Sequence, residues 1–329
     1  MSMYDAIKNF PQQFAFKPKI DGLSAPQIKK FAKYKKFIVA GMGGSRLAAE
    51  LLKISNPTLP VLIWNTYGLP PLPAEELKKN LLILCSYSGN TEEVLDVFKA
   101  AKKKKLSLAV VAANGELLNL AKKIKIPYVQ IPMTGLQPRM ATGFMLKALL
   151  KIMGEEKSLE QLGKLVKTLD SLKGEDQGRE LAETLKNKIP LIYASFANSA
   201  LAENWKIKFN ETGKIPAFYN VFPELNHNGM NGFDARPLTK GLSANFQVII
   251  LKDSSDHPRI QKRMEILAKL YQSNGIPVKI ITLVKTSNIF YKIFSCLILA
   301  DFTAYYLAKY YQVEPNEVPM VEEFKKLIG

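Results

Sequence analysis

Short apolar runs alternate with amphipathic runs through the first half of the chain. The apolar runs are nearly continuous, as in strands that are buried on both faces of a parallel sheet. They span residues 36–41, 60–67, 80–88, 106–113 and 128–132. Between and after them, apolar residues recur at helical spacing in 46–54, 91–104, 116–124 and about 141–153. This alternation predicts an α/β fold, with a doubly wound, mainly parallel sheet flanked by helices.

The pattern changes over residues 154–188, which are charged and helical and carry no strand signal. We place a domain boundary here, so the predicted domains are 1–153 and 154–329. Strand-like runs then return at 189–195, 246–253 and 277–284, with helices near 200–211, 258–273 and 287–311. The sequence therefore predicts a second α/β domain of the same class.

The two halves share a local pattern that suggests duplication. Residues 40–48 read AGMGGSRLA and residues 194–202 read ASFANSALA, and both follow an apolar run and open a helix. The second copy lacks the glycines. We therefore expect any bound anion in the N-terminal half, where the turn stays open.

Composition narrows the class of protein. The 329 residues include 46 Lys and Arg against 29 Asp and Glu, a net charge of +17 that attracts anions. Basic runs such as 101–105 lack the interleaved aromatic residues of a nucleic-acid groove, so we expect no nucleic-acid partner.

Cys85 and Cys296 fall in predicted buried elements, which indicates a reducing compartment. The N-terminus lacks a signal-peptide core, and apolar stretches such as 289–300 fall short of the ~18 residues of a membrane span. We expect a cytoplasmic protein with no membrane contact.

The turn at residues 41–46, GMGGSR, joins a predicted strand to a predicted helix. A dinucleotide fingerprint would need glycine where Arg46 stands and an acidic residue after the second strand, and no P-loop motif is present. The turn still suits an anion. Gly43 and Gly44 let backbone N–H groups approach a ligand, and Ser45 is placed to cap the helix from Arg46 onward.

A second polar turn, CSYSGNTEEVL at 85–95, follows the third predicted strand. Asn90 with Glu93 fits a capping box, which would account for one or two of the polar side chains. Ser86, Ser88 and Thr91 remain as a surplus of hydroxyl groups beside a helix N-terminus. Such a cluster suits the phosphate of a monoester.

These two turns together resemble the sugar isomerase (SIS) domain, whose members bind phosphorylated sugars through a hydroxyl-rich loop. The resemblance extends over nearly the whole chain to the bifunctional phosphoglucose/phosphomannose isomerase family, which has tandem SIS domains. It is carried by WKIKFNETGKIPAFYNVFPELNHN at 205–228, by Pro138-Arg139, and by a C-terminal helix with a lysine. The family is an aldose–ketose isomerase without metal or other cofactor. The substrate would be held by Gly43, Gly44, Ser45, Ser86, Ser88 and Thr91.

The resemblance also assigns the catalytic roles. Glu211 would move the proton between C1 and C2, and Arg139 would stabilise the enediolate. His227 and Lys325 would open the sugar ring, although Lys326 is adjacent and the alignment leaves one residue of freedom. From the residues alone, His227 and His257 are equal candidates, and each of these side chains could be an ordinary surface group. The family pattern also implies a homodimer in which the histidine is donated by the partner subunit.

The implied reaction interconverts glucose 6-phosphate and fructose 6-phosphate. Val318 stands where family members often carry threonine near the sugar C2, so activity on mannose 6-phosphate stays open.

Two alternative functions belong to other classes of protein. A non-catalytic SIS regulator would bind a sugar phosphate without turnover, and an amidotransferase-type module would need a glutaminase domain with an N-terminal cysteine, whereas this sequence begins MSMYD.

Overall fold

The computed structural model describes residues 1–23, 31, 33–234 and 236–328. They form two compact units. The first comprises Met1 and Asn9–Leu169, and the second comprises Ser2–Lys8 and Asp170–Gly329. Helix α1 (Met3–Lys8) therefore belongs to the second unit, where Tyr4 packs edge-on against the ring of Phe302 at 6.2 Å.

The first unit is built on a parallel sheet of five strands. Its strands are β1 (Phe37–Gly41), β2 (Val61–Trp64), β3 (Leu81–Ser86), β4 (Leu108–Ala112) and β5 (Tyr128–Gln130), in the spatial order β2-β1-β3-β4-β5. All five lie within the runs predicted from the sequence. The helices are α2 (Gly43–Ser55), α3 (Ala74–Lys79), α4 (Glu92–Lys103), α5 (Gly115–Lys123), α6 (Thr142–Met153) and α7 (Glu156–Thr168), with 3₁₀ turns at Phe10–Ala15 and Pro138–Met140.

Helices cover both faces of this sheet, which explains why its central strands are apolar throughout. On one face, alternate strand residues such as Ile38, Leu84 and Val110 pack against the apolar stripes of α4 and α5. Helices α2 and α6 pack against each other, and α2 contacts β1 while α6 contacts β4. The predicted doubly wound α/β fold is confirmed for this unit.

The boundary between the units lies one helix later than the predicted 153/154. Helix α7 buries Leu162 and Leu165, and it packs on the 3₁₀ turn Phe10–Ala15 and on α6. Its apolar face therefore belongs to the first core. The charged composition of 154–168 describes only the outer face of this helix, which is why the sequence pattern indicated a domain boundary at its start.

The second unit contains a four-stranded parallel sheet in the order β7-β6-β8-β9. Its strands are β6 (Ile189–Ser195), β7 (Phe218–Phe222), β8 (Phe246–Lys252) and β9 (Val278–Thr282). Its further helices are α8 (Glu175–Thr184), α9 (Ser199–Glu211), α10 (Lys240–Ser243), α11 (Pro258–Ser273), α12 (Ile289–Tyr310) and α13 (Pro319–Ile328), with 3₁₀ turns at Ser171–Gly174, Phe196–Asn198, Glu224–Asn226 and Gly229–Phe233.

Strand β7 is absent from the sequence prediction, which otherwise gives the strands of this sheet correctly. It is an edge strand, and Phe218 and Tyr219 at its start are exposed. Strand β7 lies at the sheet edge beside β6, as β2 lies at the edge beside β1 in the first sheet. The strands of the second sheet thus follow the order of the first four strands of the first sheet, as a duplication predicts.

Helix α12 is the central helix of the second unit. By length and composition it meets the criteria for a membrane span, so the sequence-based statement that no apolar stretch is long enough was too strict. However, 67% of its most apolar window is buried within the protein. Burial of this kind is typical of the core helix of an α/β domain.

A buried ion pair joins α12 to α9. The ammonium of Lys208 lies 2.5 Å from a carboxylate oxygen of Asp301, and both side chains are 3% exposed. Each charge compensates the other in surroundings that would otherwise strongly disfavour it. The pair therefore fixes how these two helices align.

We expect removal of one partner to cost far more than removal of both. Asp301→Leu should lower the free energy of unfolding by about 3–5 kcal/mol, because it leaves a buried lysine charge without its carboxylate. The double variant Lys208→Met/Asp301→Leu should recover most of that loss, as measured by urea unfolding. As a control, Lys164→Met breaks the exposed pair with Glu160 and should change stability by less than ~1 kcal/mol. Equal losses for the single and double variants would contradict this account.

Candidate active site

The two polar turns predicted from the sequence lie side by side in the first unit. One follows β1 and the other follows β3, and these strands are neighbours with Gly41 paired to Cys85. The strand order reverses at this point of the sheet. Ligands of doubly wound folds bind at such a switch point, beside the carboxyl ends of the strands.

The glycine turn forms the first residues of α2. Met42 is extended and is the N-cap residue, and the helix begins at Gly43, which has a φ of +47°. The prediction that Ser45 caps a helix starting at Arg46 is therefore wrong. Ser45 is buried in the first turn, and its hydroxyl accepts a hydrogen bond of 2.9 Å from the backbone N–H of Tyr87. This bond ties the glycine turn to the hydroxyl-rich turn.

The hydroxyl-rich turn brings Ser86 and Thr91 together. Their oxygens are 2.7 Å apart, and the hydroxyl of Ser86 also accepts a bond of 3.0 Å from the N–H of Gly89. The side chain of Ser88 is exposed, and its oxygen accepts a bond of 3.2 Å from the N–H of Asn90. The arrangement places one exposed hydroxyl beside a pair that is held by the loop.

The predicted capping box of Asn90 and Glu93 is not formed. The N-cap of α4 is Thr91, which makes no side-chain capping bond. Asn90 instead accepts a hydrogen bond of 2.9 Å from the N–H of Glu116, at the start of α5. Its side chain therefore joins the hydroxyl-rich turn to the turn after β4.

Two glycines that the sequence analysis did not single out make this junction possible. Gly89 and Gly115 have φ values of +73° and +82°. A Cβ on Gly89 would collide with the backbone of Asn114, and one on Gly115 would collide with the carbonyl oxygen of Ser88. A sequence signal for both glycines exists, because each stands next to a polar residue between a predicted strand and a predicted helix.

Arg139 lies in the 3₁₀ turn Pro138–Met140 and is 1% exposed. This turn packs directly on the glycine turn. A Cβ on Gly44 would lie 2.5 Å from the carbonyl carbon of Pro138 and 2.6 Å from the nitrogen of Arg139. Gly43 is thus required for its positive φ, whereas Gly44 is required because the two backbones touch.

Glu211 is the last residue of α9 and is partly buried. Lys214, which the sequence analysis did not consider, lies just beyond it. The ammonium of Lys214 donates to the carbonyl oxygen of Glu211 and to that of Glu317, the latter at 2.5 Å. This lysine therefore links the end of α9 to the segment that leads into α13.

His227 and Lys325 stand on two further elements of the second unit. His227 is exposed and ends the 3₁₀ turn Glu224–Asn226. Lys325 is exposed on α13, where it pairs with Glu322 at 2.7 Å. The structure thus places Glu211, His227 and Lys325 on three separate elements. Among the described residues, no group of three or more His, Cys, Asp or Glu side chains is arranged to hold a metal ion.

The corresponding edge of the second sheet carries two carboxylates beside the hydroxyls of Ser195 and Ser255. Asn198 donates to Asp253 at 3.3 Å and to Asp256 at 3.4 Å, and Lys292 pairs with Asp253 at 2.6 Å. Burial raises the pKa of Asp253, but hydrogen bonds from Lys292 and Ser255 outweigh it and hold the pKa below its usual value. Asp253 is paired with Lys292, and burial raises the pKa of Asp256, so the polar groups of this edge are bound to one another.

Comparison with known proteins agrees with this architecture. Residues 174–328, within the second unit, match the family model of the bacterial phospho-glucose isomerase C-terminal SIS domain. In solved structures, the fold resembles tagatose-6-phosphate ketose/aldose isomerase from Escherichia coli, with a TM-score of 0.66 at 15% identity over 95% of this chain and 94% of that one. The likeness shows a shared SIS fold.

Two curated relatives extend over almost the whole chain, and both are named bifunctional phosphoglucose/phosphomannose isomerase. The protein of Aquifex aeolicus is 29% identical over 98% of this chain and 97% of its own length. That of Caldicellulosiruptor bescii is 32% identical over 99% of both chains. With tandem SIS folds and this identity from end to end, the chain belongs to the bifunctional phosphoglucose/phosphomannose isomerase family.

Proposed function

We propose that this protein interconverts glucose 6-phosphate and fructose 6-phosphate, and that it also acts on mannose 6-phosphate. The observation that carries the proposal is the end-to-end similarity to isomerases of that name. The roles of Glu211 and His227 come from the resemblance of residues 205–228 to the family pattern. The hydroxyl-rich turn supports it, because the side chain of Ser88 is exposed beside the paired hydroxyls of Ser86 and Thr91.

In this proposal, the first unit binds the phosphate and the sugar. Ser86, Ser88 and Thr91 donate hydrogen bonds to the phosphate, and Ser45 and the N–H groups of Gly43 and Gly44 complete the substrate site. First-turn N–H groups of a helix lack intrahelical acceptors and favour an anion. At the equivalent edge of the second sheet, Asp253 and Asp256 are bonded to neighbouring side chains, which supports a single phosphate site in the first unit.

The chemistry assigned to the second unit is a proton transfer. His227 and Lys325 pass protons to open the ring, which produces the aldehyde of the open-chain aldose. Glu211 then removes the proton from C2, and the aldehyde oxygen gains charge as a cis-enediolate forms. The Glu211 carboxyl, whose proton can exchange with solvent, then delivers a proton to C1, while the proton of the C2 hydroxyl passes to the C1 oxygen. C1 thereby becomes the CH₂OH group, and C2 becomes the ketone of fructose 6-phosphate. Arg139 stabilises the negative oxygen of the intermediate.

We further propose a homodimer in which His227 serves the partner subunit. The exposure of His227 and the separation of Glu211 and His227 onto different elements are compatible with that arrangement.

A cytoplasmic location is supported by the two thiols, which are free and buried. Burial raises the pKa of Cys296 to about 12, which disfavours the reactive thiolate.

The isomerase proposal predicts deuterium incorporation from solvent. Fructose 6-phosphate in D₂O with EDTA should give glucose 6-phosphate labelled at C2, as read by NMR, and mannose 6-phosphate in the same spectrum would show that Val318 permits the second activity. Glu211→Gln should lower kcat by about 10²–10⁴-fold, because a proton-transfer base is lost. The control Glu180→Gln changes an exposed glutamate on α8 and should leave kcat unchanged.

Three outcomes would each contradict part of this proposal. Binding of fructose 6-phosphate without any product would favour a non-catalytic sugar-phosphate regulator. Unchanged turnover in Glu211→Gln, with labelling intact, would remove the base assignment but leave the reaction. Loss of activity with EDTA would show that the enzyme needs a metal ion.

The phosphate assignment predicts a change in KM. Ser88→Ala should raise the KM for fructose 6-phosphate by about 10-fold or more, because a hydrogen bond to a charged group contributes ~1.5–3 kcal/mol. The kcat should change little. Ser55→Ala, at the opposite end of α2, is the control and should leave KM unaltered. A normal KM in Ser88→Ala would exclude Ser88 from the phosphate site.

Donation of His227 across a dimer predicts complementation between inactive variants. Glu211→Gln and His227→Ala homodimers should both be nearly inactive. Random pairing makes half of the dimers mixed, and each mixed dimer would hold one site with both residues intact. Mixing should therefore restore about one quarter of wild-type activity. No recovery, with mixed dimers shown by mass spectrometry, would place both residues within one subunit.

A further inference from the structure

Gln13 is a buried polar residue that neither the motifs nor the proposed reaction explains. It lies in the 3₁₀ turn Phe10–Ala15 of the first unit and is 3% exposed. Its carboxamide nitrogen donates to the carbonyl oxygen of Met140 at 2.6 Å. Its carboxamide oxygen accepts from the N–H groups of Gly143 at 3.1 Å and Phe144 at 3.3 Å. One side chain thus binds both ends of the short segment that follows Arg139.

Backbone hydrogen bonds within this segment form its 3₁₀ turn, but no side chain of the segment caps the helix that follows. Ala141 is the N-cap of α6 and provides no side-chain capping bond. The first N–H groups of a helix need acceptors, and here they come from a residue more than a hundred positions earlier in the chain. A Cβ on Gly143 would lie 2.9 Å from the carboxamide oxygen of Gln13, so the fit is close.

The opposite side of the same turn is fixed by the backbone contact at Gly44. That contact reaches Pro138 and the nitrogen of Arg139, whereas Gln13 holds the carbonyl of Met140, the next residue. Arg139 therefore stands between two immobile points. A guanidinium that must meet a charge developing in the transition state has to be held in place before the reaction begins.

From this geometry we propose that Gln13 is a positioning residue of the active site, acting on catalysis by fixing the Pro138–Thr142 turn and with it Arg139. The inference rests on the proposed function, since it presumes that Arg139 stabilises the enediolate. A carboxamide is required because the site needs one donor and one acceptor side by side. Leucine of similar size has neither.

The chain offers a matched control in Lys147. This lysine is one helical turn further along α6, is 6% exposed, and donates to the carbonyl oxygen of Phe14. It therefore joins the same two elements as Gln13 but touches neither Met140 nor the start of α6. Both residues stabilise the packing, and only Gln13 contacts the turn that carries Arg139.

Steady-state isomerase kinetics of full-length variants test the proposal, with thermal unfolding measured in parallel. Gln13→Leu should lower kcat by about 10–100-fold, the range expected for a catalytic group displaced by ~1 Å, with KM changed by less than ~2-fold. Lys147→Met should lower the unfolding temperature but keep kcat. In an Arg139→Ala background, Gln13→Leu should cause no further loss of kcat, because its effect passes through the arginine.

Three results would overturn the proposal in an active wild-type enzyme: normal kcat in Gln13→Leu, an equal loss of kcat in Lys147→Met, or an additive loss in the Arg139→Ala background. If Gln13→Leu does not fold, Gln13→Glu supplies the test. Its protonated carboxyl can donate to Met140 and accept from Gly143, so its kcat relative to wild type should rise as pH falls. A ratio independent of pH would contradict the proposal. A wild-type protein without isomerase activity would instead refute the proposed function.

Discussion

The geometry of the first unit depends on one constraint, the contact between two backbones at Gly44. The start of α2 and the Pro138–Met140 turn approach so closely that there is no room for a Cβ. Because peptide groups have little conformational freedom once packed in this way, the contact fixes the first N–H groups of α2 and the backbone of Arg139 together. Ser45 extends the same arrangement to the hydroxyl-rich turn through its bond to Tyr87. Three loops from distant parts of the sequence thus behave as one rigid surface.

Much of this could be read from the sequence, for reasons that differ between elements. The buried strands are recognisable because both of their faces are covered, which leaves nearly continuous apolar runs. Edge strand β7 was missed because its first side chains face solvent, and α7 was assigned to the second domain because its charged outer face dominates its composition. The hydroxyl-rich turn was recognised from its local sequence. Its contact with the turn after β4 was not predicted, because Asn90 accepts from Glu116 at the start of α5 rather than capping its own helix.

Gln13 shows the same limit at longer range. Local signals such as caps and turn residues describe neighbours along the chain, whereas this carboxamide acts on a helix start that lies far away in sequence.

The two SIS units show how a duplicated scaffold can diverge in its polar side chains. The sheets repeat the same strand order, yet one presents hydroxyls and N–H groups at its carboxyl edge and the other presents Asp253 and Asp256. The strand order is thus kept while the polar side chains at the strand ends differ.

The ion pair of Lys208 and Asp301 has a consequence for the newly made chain. Helix α12 is long and apolar enough that, during synthesis, the segment could be mistaken for a membrane anchor. An aspartate near the middle of such a helix adds about 2.5–3.5 kcal/mol to the cost of entering a bilayer. Lys208 is synthesised before Asp301, so the carboxylate finds its partner already present as the segment emerges. The charge that would make this helix a poor anchor is the one that pairs with Lys208 in the core of the second unit.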